Sequence, residues 1–274
     1  MSDQILFIQN NNIIPFTEND LIFCNSIERG APSLDVKYIE HEGADGSGDS
    51  RARYKSFEIT ATVTLFHGNR HDKELKQQDM YSKLYPRASF YLVYDKAPGK
   101  KFKVRTTDCN QNETHNTHTE YSITFEVFEG CAESIGSTQN ERSIDFETWQ
   151  VQQGLLAEDY DYSFKRSRFK IYNLGDFTVD PRVHYLKIKL TGDSEGGVEI
   201  YNKTTRERFI YNKAISKNKS EEIEINGVKT YRNGVMSGID TNGQLITLAP
   251  GENEIEINNV SAVNVTFDFN FRYK

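Results

Sequence analysis

The 274-residue sequence predicts a mainly β protein of two β-rich domains, the first an antiparallel sheet or sandwich with one packed helix, the second a β-sandwich. Three observations lead there. Apolar and polar residues alternate with a period of two in both halves of the chain. A single segment, near 70–85, breaks that period with helical spacing. Turn signals crowd the second half at short intervals, as a sandwich of short strands requires.

In the first half the clearest strand runs from Phe57 to Leu65. Phe57, Ile59, Ala61, Val63 and Leu65 fall on one side, and Glu58, Thr60, Thr62 and Thr64 on the other. Tyr121, Ile123, Phe125 and Val127 repeat the pattern, and Phe102 with Val104 form a shorter version. Such half-buried strands belong to antiparallel sheets. In the helical segment Met80–Leu84 and Tyr81–Tyr85 are spaced four apart, with Leu75 one further apolar residue; Asn69 is placed to cap it and Pro86 to end it. Residues 43–50, with three glycines among small polar residues, read as a loop. Residues 107–118 read as a long hairpin tip or arm that gains order against a neighbouring subunit. The pattern fades between Gly130 and Ser163, which sets the expected domains at 1–150 and 151–274.

In the second half Leu186, Ile188 and Leu190 alternate with Lys187 and Lys189, followed by Val198 with Ile200 and Phe209 with Tyr211. Ile223 and Ile225 precede Asn226-Gly227, a strong hairpin-turn signal. Asn242-Gly243 and Pro250-Gly251 punctuate strands expected at Leu245–Leu248 and around Ile255 and Ile257. The last strand carries Val263, Val265, Phe267, Phe269 and Phe271 on one side. Burying each phenylalanine contributes roughly 1.5–3 kcal/mol, so this strand belongs inside the sandwich.

The net charge of -7 gives no reason to expect nucleic-acid or acidic-membrane binding. Residues 1–150 carry all of it, with 16 basic and 23 acidic side chains against 17 of each in the remainder. A basic cluster from Lys96 to Arg105 precedes a stretch from Asp108 to Glu147 opposed only by Arg142, an asymmetry suited to orienting head-to-tail contacts. The three cysteines are widely separated, which argues against a disulfide scaffold. The first residues carry no secretion-signal pattern, so synthesis in a reducing cytosol is expected. No apolar run reaches membrane-spanning length.

Chemistry is scarce. Phosphate-binding glycine loops, a zinc-protease motif and a serine elbow are all missing from the sequence. Cys109, His115 and His118 lie within ten residues but fit no standard zinc spacing. Asp45, Ser47 and Asp49 alternate like calcium-loop ligands, yet Ser56 stands where a bidentate Glu is required. Glu126 and Glu129 could form a glycosidase pair only as any protein rich in acids could. No catalytic, cofactor or metal residue is therefore expected. Tyr201, Tyr211, Tyr231 and Trp149 are the candidates for stacking on sugar rings, the basis of an alternative function as a carbohydrate-binding module with a spacer domain.

The Phe57–Leu65 strand, the helix around Leu75–Tyr85, the Phe102–Arg105 strand and Tyr121–Phe128 running into Gly130-Cys131-Ala132-Glu133-Ser134 resemble the distal tail proteins of long-tailed, siphovirus-type phages of Gram-positive bacteria. Gly238-Ile239-Asp240, Leu245–Leu248, Pro250-Gly251-Glu252-Asn253-Glu254-Ile255 and the final strand extend the match over essentially the whole chain. The resemblance implies a first domain that closes into a homo-hexameric ring around a channel for DNA, which passes without specific binding, and a peripheral second domain similar to galectins or carbohydrate-binding modules. It implies a place at the distal end of the virion tail, after assembly in the host cytoplasm. The implied partners are the tail tube protein, a tail-associated spike or lysin-like protein and, in some phages, a receptor-binding protein. Candidate oligomer contacts are Asn110, Asn112, Thr117, Phe66 and Phe128.

Overall fold

The computed structural model describes residues 4–10, 12–17, 22–40, 43, 45, 47–49, 52–139 and 160–274. The chain divides into two compact units, Met1–Ala132 with Lys274, and Glu133–Tyr273. The boundary expected at 150, like Trp149, lies outside the described residues.

In the first unit the strands hydrogen-bond side by side in the order Asn12–Pro15, Ile5–Gln9, Phe90–Tyr94, Lys100–Thr114, His118–Val127, Phe57–Phe66 and Ile22–Arg29. Every pairing is antiparallel. The long strand Lys100–Thr114 serves two neighbours. Phe102–Val104 pairs with Phe90–Leu92, and Arg105 onward pairs with His118–Val127, with an irregularity between Thr106 and Asp108. An extra residue bends a strand, and here the bend folds the sheet over its own core. Phe7 meets Phe125 at 5.9 Å and Phe57 meets Phe102 at 6.3 Å between ring centroids, which joins the two halves.

The expected helix is present at Arg70–Leu84. Asn69 Oδ1 accepts from the Asp72 N–H at 2.9 Å, and Asp72 Oδ2 accepts from the Gly68 N–H at 2.8 Å, so orphan donors at the helix start are satisfied from both directions. Met80 and Leu84 are fully buried and Tyr81 packs edge-on against Tyr85. Leu75 is 68% exposed and lies off the buried stripe.

Residues 43–50 are not simply a loop. Ser47–Asp49 pairs with Tyr38–Glu40, and Arg53–Tyr54 pairs with Leu34–Asp35, so the stretch is the far end of a two-stranded ribbon. The Gly130-Cys131-Ala132 turn has a steric cause. Gly130 adopts φ +66°, and a Cβ there would come within 2.6 Å of the Lys55 carbonyl oxygen. Cys131 and Ala132 follow it into the core.

The second unit is a sandwich. A six-stranded sheet runs Ser163–Phe164, Ser261–Phe269, Leu186–Asp193, Glu222–Asn226, Lys229–Arg232, Val235–Met236. A four-stranded sheet runs Arg168–Asn173, Gly251–Asn258, Val198–Asn202, Glu207–Tyr211. Phe164 of the first stacks on Phe169 of the second at 4.0 Å, and Phe169 in turn meets Phe267 at 6.1 Å. Phe267, Phe269 and Phe271 are all buried, although the strand itself ends at Phe269. Leu245–Leu248 is not a strand, contrary to expectation. Only Leu248 makes a bridge, to Val179, because the Thr247 N–H and hydroxyl bond the Glu207 carboxylate instead, each at 2.6 Å.

Candidate assembly surfaces

The first unit offers three surfaces. The ribbon exposes Tyr38 (66%), Ile39 (50%) and Leu34 (49%). Two-stranded ribbons are marginal on their own, and this one leaves three apolar side chains exposed among the described residues. The sequence holds a signal for it, since short apolar stretches flank the glycine-rich turn.

The second surface is the outer face of the sheet. Facing residues across four strands form the rows Ser26–Thr62–Ser122–Asn110 and Glu28–Thr60–Thr124–Asp108, with Glu58 and Glu126 beside Arg105. It is a hydroxyl-rich and mainly acidic face. Arg105 is engaged, donating to the Arg87 carbonyl at 3.1 Å.

The third is the hairpin tip. Strand pairing continues to Thr114–Thr119, so 107–114 is strand, with a further register shift between Gln111 and Thr114, and only 115–117 is turn, tighter than the arm expected. Lys73 on the helix donates to Gln111 at 3.3 Å and Thr114 at 3.5 Å, which ties the tip to the domain's own helix. His115 stacks on His118 at 4.4 Å, and Phe66 lies opposite His118 in register. Asn110, Asn112, Thr117 and Phe66 are thus exposed toward one end of the sheet. Phe128 is exposed at the other end, just past Val127 and under the Lys103 ammonium at 5.7 Å.

The zinc constellation does not form. Cys109 lies among Tyr85, Tyr121 and Asp108 instead of beside the two histidines, and burial pushes its thiol up to about 11. Asp45 is exposed and Ser47 sits in the ribbon. Among the described residues no group of three His, Cys, Asp or Glu could hold a metal. Glu129 pairs with Lys103 at 2.7 Å, and Glu126 stands opposite Arg105 and Glu58.

The sugar-stacking candidates separate as well. Tyr211 is fully buried, with its hydroxyl 3.1 Å from Ser237, and has no surface to give a glycan. Tyr201 lies on the four-stranded sheet with the Arg208 guanidinium 3.9 Å over its ring. Tyr231 is half-buried on the six-stranded sheet.

Residues 11–127 match the phage tail protein RIFT-related domain family. Curated proteins provide no match. Among solved structures, the SPP1 phage Dit protein (gp 19.1), described as a paradigm of the hub adsorption apparatus in phages infecting Gram-positive bacteria, aligns over 99% of this chain and 100% of its own at TM-score 0.70 and 9% identity. Two structures of the phage p2 baseplate in its activated conformation, with Sr and with Ca, align at TM-scores 0.47 and 0.44 and identities of 11% and 13%. They cover 98% and 100% of this chain, and 98% and 99% of theirs. The first unit thus carries a match to the phage tail protein RIFT-related domain over residues 11–127, and the chain as a whole shares the fold of the SPP1 Dit protein.

Proposed function

We propose that six copies close into a ring through their first domains, joining the tail tube to the tail-tip and host-recognition apparatus and leaving a channel for DNA. The observation that carries this reading is the ribbon, whose exposed Leu34, Tyr38 and Ile39 suit a groove on the next copy. Closed rings need one surface of each subunit to meet a different surface of its neighbour, and a projecting ribbon is such a one-sided contact. The threonine-rich acidic face suits the channel, because DNA held by few phosphate contacts slides through freely. Asn110, Asn112, Thr117, Phe66 and Phe128 are proposed as further contacts, either between copies or with the tube protein above and the spike or lysin-like protein below. Light scattering on the full chain tests the ring. The expected particle has about six times the 31.5 kDa chain mass and a central hole in electron micrographs. A monomer at every concentration, with and without tube protein, overturns the reading.

A further inference from the structure

The outer face of the six-stranded sheet carries a cleft of about 250 Å³ lined by Gln139, Lys187, Lys189, Thr266 and Asp268. Register places its residues in order. Ser163, Thr266, Lys189, Glu224, Tyr231 and Met236 stand opposite one another in turn across all six strands. Lys187 faces Asp268 in the adjoining row. With strands about 4.8 Å apart, that row spans roughly 24 Å. Aromatic rings mark the face: Tyr185, 42% exposed, donates to Asp268 Oδ2 at 2.6 Å, and Tyr231 lies two strands beyond Lys189. The other Asp268 oxygen, Oδ1, is shielded from solvent and has no hydrogen-bond donor among the described residues.

Charge narrows the ligand. Lys187 pairs with Glu224 at 3.6 Å, and Lys189 with Glu222 at 3.2 Å and Glu224 at 3.5 Å; with Lys229 opposite Asn226, and with Asp268, three lysines on this face are balanced by three carboxylates. Such a balanced face offers a polyanion no net attraction. Neutral hydroxyls, by contrast, find donors and acceptors alternating along the row, with rings against which a pyranose can lie. On the four-stranded sheet the Tyr201 ring is covered by the Arg208 guanidinium.

We propose that this cleft binds a neutral glycan laid across the strands, with Tyr185 as its platform and Asp268, Lys187, Lys189, Thr266 and Gln139 as its polar contacts. The site is independent of ring formation by the first domain. Saturation-transfer NMR on the full chain, with cellotriose, maltotriose and tri-N-acetylchitotriose as probes in the millimolar range, tests it. Transfer from at least one probe is expected, weakened about tenfold or more in Tyr185→Ala. Lys189→Gln, an exposed change that leaves the core alone, is expected to weaken it too, and Tyr201→Ala to leave it intact. Thermal melts confirm that each variant folds; if Tyr185→Ala does not, Lys189→Gln decides. Absence of transfer from all three probes overturns the proposal, as does transfer unchanged in the folded variants. A glycerol-phosphate oligomer that binds where the sugars do not overturns it equally.

Discussion

Single side chains hold the irregular parts of the sandwich. Asn253 is fully buried; its Oδ1 accepts from the Ala249 N–H and from Asn202 Nδ2, and its own Nδ2 donates to the Ala249 and Gly251 carbonyls. Asn202 in turn holds the Thr247 carbonyl at 2.8 Å. Truncating one member leaves several buried groups unpaired, each costing about 1–3 kcal/mol. Asn253→Ala is therefore expected to lower unfolding free energy by about 2–4 kcal/mol, read from the urea midpoint with an unchanged slope. Cys109 gives a second prediction. With its thiol near 11, it should be alkylated at pH 8 about a hundredfold more slowly than a thiol of pKa near 9. Quantitative mass spectrometry of labelled peptides reads that rate, and labelling as fast as a free thiol would show the thiol to be less buried.

At the scale of elements, capping and charge pairing make separable contributions. Asn69→Ala removes the acceptor for the Asp72 N–H and should cost about 1 kcal/mol, with Asn69→Gly milder. The outer face of the four-stranded sheet answers to acid. Glu199 is held below the usual carboxylate range by Asn258 and then Arg208, Glu252 by Lys170 and then Tyr172, and Glu256 by Lys203, each against a desolvation that works the other way. Groups with depressed folded pKa values stabilise fully above the unfolded value near 4.3, and that stability is lost as pH falls through the folded values. The melting temperature should stay level from pH 7 to about 5 and fall below about 4, and a scan that shows no acid-side fall would contradict the pairing. These same elements show what the sequence made legible. Phe57–Phe66 and Ser261–Phe269 are long and alternate with a period of two, so burial follows period along nearly all of each. Leu245–Leu248 is equally apolar yet is diverted by Glu207, a partner 40 residues away that no local pattern contains. The ribbon was missed for the opposite reason: its strands are too short for a period, and its apolar side chains cover no core of their own. The cleft on the six-stranded sheet, too, exists only through register, which brings Lys187 opposite Asp268 from 81 residues apart.

For the whole molecule, the domain boundary is decided by where buried hydrogen bonds go. The segment 133–139 is hydrogen-bonded into the second unit. The Ser134 N–H donates to the Phe271 carbonyl at 2.9 Å, and the Thr138 N–H to that of Phe269 at 3.0 Å. The Thr138 hydroxyl and Gln139 Nε2 both donate to the Phe267 carbonyl at 2.9 Å. Glu133 meets Arg272 at 2.6 Å with side chains only 12% and 5% exposed. Removing one partner of a buried ion pair costs about 3–5 kcal/mol because the other charge is left without compensation in a poor solvent for it. A fragment of residues 133–274 should therefore melt cooperatively on its own. A fragment of 160–274 loses Glu133 and the bonds to Phe267, Phe269 and Phe271 together, and should be unfolded or melt far lower. Glu133→Gln in the longer fragment separates the two contributions, since it keeps every backbone bond and removes only the charge. If 160–274 melts with 133–274, the buried pair and the edge it anchors contribute little, and the boundary belongs further along the chain.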